Sequence, residues 1–304
     1  MINKILVIVI LGTLLYTSKM YEYEDYQNSI HFIENKMLIR TILFDYIKNL
    51  SDKEIKLKTN FKITNLNKNN VSAFYVENTQ KFTKNEKEIL TSCINDIQKY
   101  IKKDSLLNNY SWKFVKFTDG IEFEFPFTFK DVIFLNRRFL KMINKKRLLC
   151  LEILIHEKIH IIQRYNQSLF DKFYVNHLEI EINKNIIINN SIKKMIFSNP
   201  DGLDLIYIYK DIHNNKYLPL LVYLNKNLEK ILIPLQKYNA GYKTKQTYLP
   251  IEDVSIKLFK YYPKDISLYH PNEVTACIIP KLIMGKENIS TKIKLIFKNI
   301  MEHI

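Results

Sequence analysis

A pentapeptide, His156-Glu157-Lys158-Ile159-His160, set inside a long apolar run, constrains this chain more than any other feature. Leu148, Leu149, Leu151, Ile153, Leu154, Ile155, Ile159, Ile161 and Ile162 fall on nearly every side of a helix. Such a distribution predicts a helix buried in the middle of a domain rather than one lying on its surface. Asn144, just ahead of Lys145-Lys146-Arg147, is read as its N-cap. Isolated charges in these surroundings are costly unless paired or bound to a metal.

Helix geometry permits the second, the alternative being a buried helix that happens to hold two histidines and a glutamate. Four residues turn the side-chain direction by about 400°, which leaves His156 and His160 about 40° apart on one face and about 6 Å apart along the axis. Both imidazoles can then reach one ion at about 2.0–2.1 Å. Glu157 is rotated about 100° from His156, where it can face the open position of the ion and act as a general base. The pentapeptide therefore predicts Zn2+ as the cofactor, with His156 and His160 as ligands. Glu152, four residues before His156, is placed either to accept a hydrogen bond from a histidine N–H or to lie solvated near the helix start.

A catalytic zinc normally has three protein ligands and one open position. After His160 come Ile161-Ile162-Gln163-Arg164-Tyr165-Asn166, which excludes the form of the motif with a glycine and a third histidine close behind. The best remaining candidate lies in Tyr269-His270-Pro271-Asn272-Glu273-Val274-Thr275-Ala276. Pro271 suits the first helical position, with His270 at the cap, so Glu273 falls in the first turn of a short apolar helix reaching Ile279. There it is either the third ligand or a carboxylate that complements the helix N-terminus.

His156-Glu157-x-x-His160 followed by Glu273-x-x-Ala276 resembles the gluzincin group of zinc metallopeptidases, in which a glutamate on a downstream helix completes the site. The resemblance covers two short motifs. It implies His156, His160 and Glu273 as metal ligands, Glu157 as the residue that activates water, and peptide or protein as substrate. In many gluzincins an aspartate close behind the glutamate orients a ligand histidine; here Cys277 stands at that position. Either another carboxylate, such as Glu152 or Asp253, holds the histidine, or the site is weakened. The alternative reading is a non-catalytic zinc-binding scaffold that keeps the fold.

The expected fold is α+β and zincin-like: a small N-terminal-lobe sheet, the buried motif helix, then a mainly helical C-terminal part. Tyr26–Leu50 and Thr83–Lys103 read as helices, the second opened by a capping box of Thr83 and Glu86. Residues 51–72 read as loop or short strand. Trp112–Phe117, Ile121–Phe125 and Asp131–Leu135 read as strands, and Leu205–Tyr209 with Tyr217–Tyr223 as a hairpin. Ile251–Tyr262 is a strand or a helix. An edge of the first sheet can pair with an extended peptide by strand addition. Tyr269, His270, Tyr248 and Tyr242 are candidates for stabilising an oxyanion.

Composition bounds the rest. At 304 residues with 47% apolar content, the chain can build a sizeable core. A net charge of +15 points to nucleic acid or an anionic membrane surface, yet the lysines are spread evenly among asparagines and isoleucines. That wording is similar to proteins of large DNA viruses and other genomes poor in G and C, and specific nucleic-acid binding is not expected. Residues 1–20 have the basic and apolar regions of a signal peptide or membrane anchor, so secretion or membrane association through the N-terminus is expected, with 21–304 as one unit. Cys93, Cys150 and Cys277 form no disulfide framework.

Overall fold

Trp112–Phe117 alternates its side chains between two apolar layers, and this makes it the centre of the first sheet in the computed structural model. The structure describes residues 29–199, 205–225, 227–256, 259, 262, 269–286 and 289–304. The N-terminal segment expected to be a signal or anchor lies outside the described residues. Among the described residues no helix is long and apolar enough to cross a membrane.

The chain enters through β1 (Ile30–Phe32), then α1 (Lys36–Lys48), α2 (Asp52–Lys58), α3 (Lys68–Glu77), β2 (Thr79–Gln80) and α4 (Lys84–Gln98). The segment 51–72, expected as loop or strand, instead holds α2 and the start of α3. Ser51 and Glu54 form a capping box, Asn67 caps α3, and Ile55, Leu57, Val71 and Tyr75 are buried. Caps and a few buried residues per turn suffice for a helix once it has something to pack on. The Thr83–Glu86 capping box opens α4 as expected.

Next come β3 (Trp112–Phe117), β4 (Phe127–Phe129) and β5 (Val132–Asn136). The first sheet runs β1-β3-β5-β4, with β2 also on β3; β1, β3 and β5 are parallel, and β4 is antiparallel to β5. Trp112, Phe114, Ile133 and Leu135 face one apolar cluster, and Val115, Phe117, Val132 and Phe134 face another beneath α1 and α3. The period of two along a strand thus places this sheet between two layers of helix.

The strand expected over Ile121–Phe125 is not formed. Glu122, Phe123 and Glu124 take positive φ values of 51°, 55° and 62°, and the strand begins only at Phe127. The cause is Glu122, whose carboxylate turns inward to Lys58, Tyr46 and Tyr75.

α5 (Arg137–Ile143), α6 (Arg147–Tyr165) and α7 (Gln167–His177) follow. Asn144 is not the N-cap of the motif helix: it ends α5, and Lys146 stands at the start of α6 with no side-chain capping bond. α5 is a separate short helix because Asn136 caps it, its side chain accepting from the Phe139 N–H at 2.7 Å.

The C-terminal part is not mainly helical. β6 (Glu181–Ile182), β7 (Ile186–Ile187), α8 (Asn190–Lys193), β8 (Tyr207–Lys210), β9 (Lys216–Leu224), β10 (Asn227–Tyr238), β11 (Gly241–Thr244) and β12 (Leu249–Pro250) stand between α7 and the last helices. Seven of these strands form a second sheet of order β6-β8-β9-β10-β11-β7, with β12 on β10. The expected hairpin is present as β8 and β9, paired antiparallel at Tyr209 and Tyr217. Its extension through β10 follows from Ile231, Leu232 and Ile233, which are buried against β9 and the layers around it. Within Ile251–Tyr262, Ile251–Asp253 forms a short 3₁₀ turn rather than a strand or an α-helix; part of the remainder lies outside the described residues.

α9 (Pro271–Ile283) and α10 (Thr291–Met301) close the chain. The fold is α+β, and one apolar cluster from Phe82 to Ile304 joins α4, α6, α7, α9 and α10. α9 packs directly against α6, which brings the two candidate ligand segments together.

Candidate metal centre and cleft

His156, Glu157 and His160 all lie on α6, as their spacing predicts. Glu157 and His160 are buried, at 4% and 1% exposure, and His156 is partly open. On α9, Pro271 takes the first turn, and His270 caps it by accepting from the Asn272 N–H through Nδ1 at 3.2 Å. This leaves Glu273 in the first turn, pointing toward α6.

The candidate ligand atoms converge. His156 Nε2 and His160 Nε2 are 3.0 Å apart, Glu273 Oε2 is 3.7 Å from the first, and Glu273 Oε1 is 3.6 Å from the second. Among the described residues these three side chains form a group able to hold a metal ion, with ligand atoms all within 4.8 Å of one another. Three acceptors aimed at one point need a proton or a cation between them.

A residue that the motif reading passed over decides the state of His160. The Asn272 carbonyl can only accept, so Gln163 donates from Nε2 to it at 2.9 Å, and also to Thr275 Oγ1 at 2.6 Å. The Gln163 carbonyl oxygen then faces His160 Nδ1 at 2.8 Å and accepts its proton. Nε2 is left with its lone pair toward the convergence point, the tautomer a metal ligand requires. Gln163 sits three residues beyond His160 on the same face, so helical spacing alone marks it as a neighbour. Its contacts with α9 are visible only in three dimensions. Gln163→Leu is expected to weaken metal binding about 10- to 100-fold, measured by competition with a chelator, because it frees the His160 ring and cuts the link between α6 and α9.

Burial holds the His160 pKa down at about 3, from an ordinary 6.5, with Arg164 and His270 acting in the same direction and the Gln163 bond opposing. The imidazole therefore stays neutral in the folded protein. The unfolded chain takes up this proton as pH falls through 6.5, while the folded one does not until about 3. Stability is thus full above 6.5 and declines on acidification. Metal-free protein should lose stability between pH 6.5 and 5 with a slope of up to about 1.4 kcal/mol per pH unit from this residue. His160→Gln should flatten that slope in urea unfolding measured across this range. A wild-type curve already flat there would show that His160 protonates freely.

The other histidine has a different neighbour. His156 Nδ1 contacts Cys277 Sγ at 3.7 Å, so the thiol stands where a carboxylate was sought. Glu152 does not serve, because it pairs with Lys281 at 2.8 Å and Lys286 at 3.8 Å. Asp253 lies on the exposed turn Ile251–Asp253 and does not serve either. Asn199, from the connection between α8 and β8, donates from Nδ2 to Glu273 Oε1 at 2.5 Å and to the Tyr269 hydroxyl at 2.6 Å. Nothing in the sequence pattern marks Asn199.

The group opens into a cleft of about 610 Å³ lined by His156, Glu157, Asn199, Tyr269, Glu273 and Cys277 among others. Of the four candidates for an oxyanion partner, Tyr269 lines this cleft. His270 is committed to capping, Tyr242 binds Lys216 and Glu181 on the second sheet, and Tyr248 is exposed beside β12. Comparison of the chain with protein-family models, with curated proteins and with solved structures found no match.

Proposed function

We propose that this chain is a zinc-dependent peptidase of gluzincin type on a zincin-like fold. The observation that carries the reading is Glu273: a carboxylate from a second helix, α9, meets His156 and His160 of α6 at ligand spacing. Tetrahedral ligands at about 2.0–2.1 Å from zinc lie about 3.3 Å from one another. The two imidazole nitrogens are 3.0 Å apart, and with one ligand atom from each side chain the three atoms lie within 4.8 Å of one another, close enough for a small shift of the carboxylate to bring them round one ion.

When bound, zinc supplies Lewis acidity for a carbonyl and acidifies water. Glu157, buried beside the ligands and lining the same cleft, takes the proton of the attacking water and hands it to the leaving amine. Asn199 and Gln163 fix the Glu273 carboxylate and the His160 ring, so their positions do not have to be found during the reaction. A peptide suits the cleft because β4, the last strand on its side of the first sheet, contributes Phe127 to the cleft wall. An extended backbone can lie along such a strand. On the sequence alone, the proposal includes export or anchoring through residues 1–20.

Elemental analysis of the purified full chain should give one zinc per molecule, falling well below one in Glu273→Ala. A wild type that takes up no zinc would end the proposal. One observation favours a second reading, a zinc-binding scaffold without activity. Cys277 accepts only weakly where a charged group would hold His156. Full zinc loading with no hydrolysis across a broad peptide library would select the scaffold.

A further inference from the structure

We infer that the cleft selects its peptide by one bulky apolar side chain, aromatic or large aliphatic, seated against a wall of Phe123, Phe125 and Phe197. The inference rests on the peptidase reading above and deepens it by naming the substrate class.

Of its three rings, Phe197 comes from the connection from α8 to β8, and Phe123 and Phe125 come from the connection from β3 to β4. Three successive non-glycine residues there, Glu122, Phe123 and Glu124, hold left-handed φ values of 51°, 55° and 62°. Such a conformation persists only where the surroundings over-determine it, and it gathers at ligand-binding sites. The determinant is the buried Glu122 carboxylate, which accepts from Tyr46 at 2.8 Å, Tyr75 at 2.6 Å and Lys58 at 2.8 Å. With Glu122 pulled inward, the two phenylalanines after it are turned into the cleft wall. Phe123 meets the ring of Phe197 edge-on, centroids 5.6 Å apart.

Phe197 is held from its other side. The Lys58 ammonium lies 4.6 Å from the ring centre, and the next backbone N–H, that of Ser198, donates to Glu54 at 2.6 Å. Phe123 and Phe197 are therefore held in place before any ligand arrives. Phe125 completes the wall while remaining 70% exposed.

Exposed apolar side chains scattered singly need no explanation, but a group of them in one concavity marks a binding surface. Leu149 and Leu228, 41% and 38% exposed, line the same cleft as Phe123 and Phe125. Charged side chains elsewhere in this lining are already engaged, Lys58 with Glu122 and Lys281 with Glu152, whereas Lys230 is exposed. The balance favours an apolar group over an ionic one.

The test uses the zinc-loaded full chain and four probes, the hydroxamates of N-acetyl-phenylalanine, -leucine, -alanine and -aspartate, with binding followed by calorimetry. The phenylalanine and leucine compounds should bind about 10- to 100-fold more tightly than the alanine compound, and the aspartate compound no better than alanine. Phe125→Ala, at an exposed position, should remove most of that preference without changing the zinc content. Phe125→Lys should turn it toward the aspartate compound. Equal affinity for all four probes would overturn the selectivity and leave the peptidase reading standing. A preference that survives Phe125→Ala would overturn the assignment of the wall. Failure to load zinc would overturn the peptidase reading, and this inference with it.

Discussion

Glu157→Gln is expected to lower kcat/KM for peptide hydrolysis roughly 10²- to 10⁴-fold while leaving one zinc per chain, the scale associated with losing a general base. The two halves of that expectation come from different parts of the geometry. Glu157 is one residue beyond His156 and so lies about 100° around the helix from it. It lines the cleft but is not in the group His156, His160 and Glu273. Glutamine keeps the size and hydrogen-bonding capacity of the side chain but cannot take a proton. Rate and zinc content measured on the same preparation separate the roles. Loss of zinc in the variant would make Glu157 a ligand, and an unchanged rate would remove it as the base.

Glu122→Ala is expected to destabilise the protein by about 3–5 kcal/mol in urea unfolding, out of the roughly 5–15 kcal/mol typical of a folded domain. The reason is the company that Glu122 keeps. Its partner Lys58 is 2% exposed, and the Tyr46 and Tyr75 hydroxyls that donate to it are buried. Burial, together with the Glu122 charge, raises the pKa of both tyrosines well above the ordinary value, so they remain donors. Removing the carboxylate strands a buried ammonium and two hydroxyls at once. Glu122→Gln keeps one acceptor oxygen, enough for the two tyrosine hydroxyls, and should be milder although Lys58 loses its counter-charge. A loss below about 1 kcal/mol for Glu122→Ala would mean that water reaches Lys58 and replaces the carboxylate.

These two residues also show how far local reasoning reaches. Glu157 belongs to a helix whose periodicity is written in the sequence, and the role proposed for it follows from one angle. Glu122 belongs to a stretch whose alternating apolar residues read as a strand. The three partners that pull it inward come from α1, α2 and α3, far away in the chain. Local propensity favoured extension, and a buried ion pair overrode it. The same contrast separates the capping box at Thr83, visible from two residues, from α2 and α3, whose few apolar residues become helical faces only against the first sheet. The second sheet extends beyond the expected hairpin because Ile231, Leu232 and Ile233 of β10 find a buried setting only once β9 lies beside them.

The sequence by itself determined the angular order of His156, Glu157 and His160 on one helix. It also determined the capped first turn that carries Glu273, because both depend only on about 100° of rotation per residue and on a proline at the start of a helix. Only the tertiary structure decided that Glu273 arrives at 3.6–3.7 Å from both histidines and that Gln163 ties α9 to α6. It also decided that a thiol, not a carboxylate, stands beside His156. Distances between helices are set by the packing of many side chains distant in the chain, and no local spacing encodes them.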